Sequence, residues 1–95
     1  MYPLEGKVIV MTGAAGGIGE ATARLAHAQG ASVVLTDLEP GPVNGIAESL
    51  GDRATSLAVD VSRADDNERM IATAVEQFGR LDAVFLNAGI EGHVG

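Results

Sequence analysis

Glycines dominate one short segment of the sequence, Thr12–Gly19, which separates an apolar stretch from a helical pattern. Such a segment suits a pyrophosphate, because backbone N–H groups can approach phosphate oxygens only where side chains are absent, and because a helix N-terminus carries positive partial charge. We expect Gly13 to form the tight turn, Gly17 to open the approach and Gly19 to let helix and strand pack closely. Ala15 stands where the commonest dinucleotide-binding spacing has its second glycine. A plain glycine-rich turn is the alternative, since glycines alone are a weak signal.

A carboxylate ends the second apolar stretch, Val33–Asp37. At a strand end beside a glycine-rich loop, Asp37 can accept hydrogen bonds from the ribose hydroxyls of an adenosine and would repel a 2′-phosphate. The next residues, Leu38–Pro40, include no base that could pair with such a phosphate. The pattern therefore favours NAD over NADP. An ordinary acidic loop residue is the alternative, and we prefer that interpretation for Glu39.

Polar residues also follow the third and fourth apolar stretches, as Asp60-Val61 and Asn87–Gly89. Ligands lie over the carboxyl ends of strands in a doubly wound sheet, so both segments would border one crevice. Asp60 can accept from an adenine amino group while Val61 covers the ring, and Asn87–Gly89 would bring backbone close to the adenine ribose. The alternative for Asp60 is a carboxylate that stabilises the next helix N-terminus.

Alternating strand and helix patterns position these residues. Short stretches rich in Val, Ile and Leu predict strands at Lys7–Met11, Ser32–Thr36, Thr55–Val59 and Ala83–Leu86. Helices are predicted between them, at Gly17–Gln29, at Pro42–Leu50 and from a Ser62 cap to a closing Gly79. The β-α-β-α-β-α-β order implies parallel strands joined by right-handed crossovers. We therefore predict an α/β fold of the Rossmann type, with three αβα layers and strand order 3-2-1-4, in one domain over residues 1–95.

Apolar residues at helical spacing predict which faces of the helices are buried. On the first helix they are Ile18, Ala21, Leu25 and Ala28. On the third they are Ile71, Ala74, Val75 and Phe78. Asp65 lies three residues after Ser62 and would complete a capping box with it.

The glycine segment resembles the cofactor loop of the short-chain dehydrogenase/reductase family. That loop has the pattern T-G-x-x-x-G-x-G, which is matched by Thr12, Gly13, Gly17 and Gly19. Because Gly16 is also present, the segment fits T-G-x-x-G-x-x-G as well, the pattern of the superfamily's sugar-epimerase branch. The glycines alone leave both branches open.

The fourth strand and its flanks carry the more specific resemblance. Phe78–Asp82 followed by Asn87–Gly89 is similar to the fourth-strand signature of the short-chain family, which usually ends N-N-A-G. The epimerase branch lacks that ending, so these residues favour the single-domain dehydrogenase branch. Leu86 replaces the first asparagine. The resemblance covers Lys7–Gly89, the N-terminal part of such a protein.

The resemblance implies an NAD-dependent oxidoreductase that transfers hydride between NAD and an alcohol or ketone. The cofactor-binding residues expected from pattern and resemblance together are Gly13, Ala15, Gly17, Ile18, Gly19, Asp37, Leu38, Asp60, Val61, Asn87, Ala88 and Gly89. A non-catalytic dinucleotide-binding fragment is one alternative. A Rossmann methyltransferase is another, although Thr12, Gly19 and Asn87–Gly89 favour the dehydrogenase.

Catalytic residues are not assigned. Catalysis in the family resembles a proton relay, with a tyrosine as acid or base, a lysine four residues later and a serine that steadies the substrate oxygen. The sole tyrosine here is Tyr2, and Gly6 follows it at that spacing. We expect the catalytic residues to lie beyond residue 95 of a longer parent, and the 95-residue chain to be inactive alone.

Composition narrows the possible partners. The net charge is −7 and the one lysine is Lys7, which argues against nucleic acids and anionic membranes. The absence of cysteine excludes disulfides and thiolate metal sites, and we expect a cytoplasmic protein. Asp65–Glu68 is interpreted as charge at a helix N-terminus, so no metal ligand is predicted. His27 and His93 are expected to be solvated.

The expected partners are NAD(H) and a small alcohol or ketone substrate of the parent enzyme. Ala83–Leu86 would leave an apolar strand edge without a neighbour. We therefore expect a homo-oligomer, or a missing C-terminal half that covers this edge.

Overall fold

A computed structural model describes residues 3–86 of the chain. The strands are β1 (Val8–Met11), β2 (Ser32–Asp37), β3 (Ala54–Ala58) and β4 (Ala83–Phe85), and the helices are α1 (Gly17–Ala28), α2 (Pro40–Leu50) and α3 (Ala64–Phe78). All neighbouring strands are parallel, and their order is β3-β2-β1-β4. The predicted fold class and strand order are confirmed.

The strand register brings the carboxyl ends of the strands together. Met11 of β1 pairs with Leu35 of β2 on one side and with Phe85 of β4 on the other. Asp37 at the end of β2 pairs with Ala58 at the end of β3. Residues that follow these strands therefore share one edge of the sheet, the edge at which ligands bind in doubly wound folds.

Two apolar cores lie on opposite faces of the sheet and give the three layers. Alternate strand residues supply each core, since successive side chains in a strand point to opposite faces. One core joins α1 and α2 to the sheet and includes Met11, Ala23, Ala26, Val33, Leu35, Val43 and Ile46. The other joins α3 to the sheet and includes Val8, Val10, Val34, Val59, Met70 and Ala74.

The predicted buried face of α1 is wrong, whereas that of α3 is partly right, since Ala74 is buried and Phe78 packs against the same core. In α1, the buried residues are Gly19, Ala23 and Ala26, while Leu25 is 61% exposed. In α3, Met70 and Ala74 are buried. The apolar residues that suggested the other faces, Ile18, Leu25, Ile71 and Val75, are all exposed among the described residues. In α1, small residues rather than the large apolar ones make the close contacts with the sheet.

Element bounds differ from the predicted ones by one or two residues. The clearest case is α2, which begins at Pro40 rather than Pro42. Proline is well tolerated there, because the first helical residue has no intrahelical acceptor for its N–H.

Candidate functional site

The glycine loop connects β1 to α1 at the carboxyl edge of the sheet. Gly13 has a φ of 64°, in the left-handed region that favours glycine. Gly16 precedes the helix, and no side chain among residues 3–86 caps the helix N-terminus. The first turn of α1 therefore presents backbone N–H groups that protein side chains do not cap, at an exposed surface formed by Gly16, Gly17 and Ile18. This is the arrangement that an anion requires.

Gly17 and Gly19 differ in what surrounds them. A Cβ added to Gly19 would lie 2.2 Å from the carbonyl oxygen of Gly13 and 2.9 Å from Cα of Ala14. The close packing expected of Gly19 is therefore present. A Cβ on Gly17 would meet nothing within 4 Å. Open space therefore lies in front of the loop at position 17, and packing within residues 3–86 does not require a glycine there.

Asp37 joins the end of β2 to the glycine loop. Its Oδ2 accepts a hydrogen bond from the Ala15 N–H at 3.0 Å, and its Oδ1 accepts one from the Leu38 N–H at 2.7 Å. Beneath it, the Ala14 N–H donates to the Thr36 carbonyl oxygen at 3.0 Å. The carboxylate is thus held beside the loop. The hydrogen bond between Asp37 and Ala15 was not expected from the sequence pattern.

Thr12 connects the loop to β4. Its N–H donates to the Phe85 carbonyl oxygen at 3.0 Å, and the residue is buried. The end of β4 therefore lies against the start of the loop. The predicted contributors Asn87, Ala88 and Gly89 follow directly in sequence but lie outside the described residues.

Asp60 follows β3, and Ser62 turns back onto its carboxylate. Oδ1 of Asp60 accepts from the Ser62 hydroxyl at 2.6 Å and from the Ser62 N–H at 3.0 Å. These bonds hold the pKa of Asp60 below its usual range, so the group is ionised at neutral pH. The adjoining Val61 is 40% exposed. An anionic acceptor and an apolar side chain thus stand together at the strand end.

The same contacts overturn the predicted cap of α3. The residue before the helix is Arg63, none of the described side chains caps the helix, and Ser62 and Asp65 form no capping box. The Ser62 hydroxyl is bonded to Asp60 instead. The N-cap is one residue later than predicted, so Ser62 lies outside the capping position and its hydroxyl donates to Asp60.

The histidines, the tyrosine and the acidic residues considered above add no further site residue among residues 3–86. A ring nitrogen of His27 lies 2.7 Å from the Asp52 carbonyl oxygen, so this side chain has a protein partner and is not simply solvated as expected. Tyr2 and His93 lie outside the described residues. Within residues 3–86, His, Asp and Glu side chains form no group of three placed to hold a metal ion. Over the same range, none of the helices has the length and apolar character needed to cross a bilayer.

Comparison with known proteins identifies the family. The family model described as short chain dehydrogenase matches residues 7–95. The chain belongs to the short-chain dehydrogenase family. Membership removes the methyltransferase alternative and confirms the resemblance carried by the glycine loop and the fourth strand.

Curated members of the short-chain dehydrogenase family are similar over nearly the whole chain. Tropinone reductase-like 1 from Erythroxylum coca is 46% identical over 87 residues, which are 92% of this chain and 32% of that protein. Mitochondrial borneol dehydrogenase from Lavandula x intermedia is 45% identical over 89 residues, or 94% and 34% of the two chains. The chain thus spans about a third of the length of these relatives.

Solved structures of the family show the same fold. The short-chain glucose/ribitol dehydrogenase of Brucella melitensis matches with a TM-score of 0.83 and 45% identity, over 87% of this chain and 36% of that one. The 3-ketoacyl-(acyl-carrier-protein) reductase of the same organism, solved with NADH, has a TM-score of 0.82 and 36% identity, over 85% and 34%. Relatives at this identity share the topology described above.

Proposed function

We propose that this chain binds the adenosine and pyrophosphate parts of NAD, as the N-terminal part of a longer single-domain enzyme. That enzyme would transfer hydride between NAD and a small alcohol or ketone. The nicotinamide ring supplies hydride acceptance and donation when NAD is bound. The chain's own residues bind and orient the other end of the cofactor.

Asp37 is the observation that carries this proposal. Its carboxylate is fixed against the glycine loop by the Ala15 N–H, at the strand end where a ribose would lie. A fixed anion there accepts hydrogen bonds from 2′- and 3′-hydroxyls and repels a 2′-phosphate. Among the residues that the structure describes, no basic side chain contacts Asp37 to offset that charge. The preferred cofactor is therefore NAD.

The other site residues have complementary roles in this proposal. The uncapped first turn of α1, with Gly17 and Ile18, binds the pyrophosphate through backbone N–H groups. Gly13, Ala15 and Gly19 shape the loop, and Leu38 flanks the ribose. Asp60 accepts from the adenine amino group and Val61 covers the ring. Asn87, Ala88 and Gly89 would complete the ribose side.

Binding without catalysis is expected from the 95-residue chain. The sequence contains no Tyr-x-x-x-Lys pair, which the resemblance associates with proton transfer. We expect NADH to bind to the pure chain, and we expect no NADH to form when NAD and an alcohol are added. Steady NADH production from any alcohol would contradict this part of the proposal.

Fluorescence titrations with NADH and NADPH test the role of Asp37. We expect NADH to bind more tightly, by roughly tenfold or more, because an approaching 2′-phosphate meets a like charge. Asp37→Ser should narrow this preference. Glu39→Ser is the control, because it removes an equal charge two residues away from a side chain that makes no hydrogen bond with residues 3–86. This variant should leave the preference for NADH over NADPH unchanged. Equal affinities for the two cofactors in the unmodified chain would show that the assignment is wrong.

A further inference from the structure

The start of α3 holds the segment after β3 through two side chains. Oδ2 of Asp66 accepts a hydrogen bond from the Asp60 N–H at 2.9 Å. Nδ2 of Asn67 donates to the Val61 carbonyl oxygen at 3.0 Å. Both residues of the proposed adenine contact are therefore fixed from the helix, beyond the end of β3 at Ala58.

Arg69 fixes Asp66 in turn. One guanidinium nitrogen lies 2.7 Å from Oδ1 of Asp66, and the other donates to the Ala58 carbonyl oxygen at 2.9 Å. The Asp60 N–H and the Arg69 guanidinium hold the pKa of Asp66 below its usual range, so that both acceptor oxygens are anionic at neutral pH. A continuous chain of contacts thus runs from the end of β3 through Arg69 and Asp66 to Asp60.

This geometry differs from an ordinary helix cap. Asp66 is the third residue of α3, the position from which an acidic residue in a capping box reaches back to the N–H of the residue before the helix. That N–H, on Arg63, is already bonded to the Asp60 carbonyl oxygen at 2.9 Å. Asp66 reaches three residues further, to Asp60 itself. Its contacts therefore serve the strand end rather than the helix end.

Asp60 is left with one oxygen for a ligand. Oδ1 takes both bonds from Ser62, whereas Oδ2 accepts no hydrogen bond from residues 3–86. The direction of that oxygen depends on the two Ser62 bonds and on the backbone of Asp60, whose N–H is held by Asp66.

We propose that Asp66, braced by Arg69, is a positioning residue that directs the Asp60 carboxylate at the 6-amino group of adenine and so makes the site selective for an adenine base. This inference rests on the proposed function. Adenine offers an amino donor at that atom, whereas hypoxanthine offers a carbonyl oxygen that an anionic carboxylate repels. Selectivity between the two bases therefore reports the direction of the Asp60 carboxylate.

The test compares NADH with reduced nicotinamide hypoxanthine dinucleotide, titrated into the full 95-residue chain and its variants. We expect the unmodified chain to prefer NADH by roughly tenfold, the scale of one hydrogen bond to a charged group. Asp66→Ala should reduce that ratio to about two or less, because the Asp60 N–H loses its acceptor. Asp66→Asn keeps an acceptor for this N–H and should restore most of the ratio.

Asp65→Ala is the matched control. Asp65 precedes Asp66 in the same turn, carries the same charge and makes no side-chain hydrogen bond with residues 3–86, so its variant should keep the full ratio. Circular dichroism verifies the fold of each variant. If Asp66→Ala does not fold, Arg69→Gln replaces it, and a ratio reduced by at least half supports the proposal.

Two results would overturn it. A folded Asp66→Ala variant that loses the same affinity for both dinucleotides would show that Asp66 has only a structural role. If Arg69→Gln is used instead, an unchanged ratio would show the same. The proposed function would stand in either case. Failure of the unmodified chain to bind either dinucleotide would refute the proposed function and this inference together.

Discussion

Gly17 and Gly19 lie two residues apart, yet their surroundings differ. At Gly19 the requirement is internal, since a side chain would collide with the backbone of Gly13. Backbone atoms cannot move aside as a flexible side chain can. At Gly17 residues 3–86 leave open space, and under the proposed function a ligand phosphate would approach there.

Alanine substitutions separate these two requirements. Gly19→Ala should lower the free energy of unfolding by about 1–3 kcal/mol, the usual cost of overpacking. Gly17→Ala should leave it within about 0.5 kcal/mol but weaken NADH binding, because the added methyl group occupies the approach to the loop. Urea unfolding and NADH titration on both variants provide the measurements. Unchanged NADH affinity in Gly17→Ala would contradict a phosphate contact at this residue.

At the scale of elements, Asp82 attaches β4 to β1. Its carboxylate accepts from the Val8 N–H at 2.8 Å and from Arg80 at 2.7 Å, and its own N–H donates to the Val8 carbonyl oxygen at 2.9 Å. β4 has only three residues, so these contacts at its start add to a short ladder. The Arg80 guanidinium and the Val8 N–H hold the pKa of Asp82 below its usual range.

The lowered pKa gives this attachment a pH dependence of known sign. A carboxyl group whose pKa falls on folding stabilises the folded state above its unfolded pKa of about 3.9 and loses that contribution as the pH falls through its folded pKa. Asp82→Asn should therefore lower the urea midpoint at pH 7 and reduce its dependence on pH below about 4. Asp52→Asn is the control, since that exposed side chain makes no hydrogen bond with residues 3–86. Equal pH dependence in the Asp82→Asn variant and the unmodified chain would refute this role.

At the scale of the whole molecule, the described part of the chain leaves apolar surface uncovered on the β4 side. A groove of about 340 Å³ lies between α1 and the sheet, and its lining includes Leu4, Ile9, Leu25, Val84 and Phe85. Within residues 3–86, β4 pairs only with β1, so its other edge has no strand beside it. An unpaired apolar edge is a template for another strand.

We expect the 95-residue chain to self-associate through β4 at micromolar concentration. Val84→Lys places a charge on this edge and should shift sedimentation toward monomer. Thr55→Lys places the same charge on β3, the opposite edge of the sheet, and should have little effect. A sharp monomer peak for the unmodified chain would show that the exposed edge is tolerated.

The alternation of apolar stretches with helical patterns determined the fold of this protein, because βαβ units allow few topologies and one handedness. The glycine segment and Asp37 pointed to a dinucleotide site for a similar local reason, since a phosphate and a ribose would impose residue types at fixed offsets from a strand end. Family membership was predictable from the same residues, together with the segment after Phe78.

The tertiary structure decided how these residues are held. Asp37 bonds to Ala15, Asp66 to Asp60 and Asp82 to Val8, and each pair depends on how neighbouring elements meet. The buried face of α1 also depended on it, since a stripe of large apolar residues does not reveal which side of a helix the sheet contacts. Periodicity is a property of one segment, whereas these contacts join segments whose distance and angle are set only when the sheet has formed.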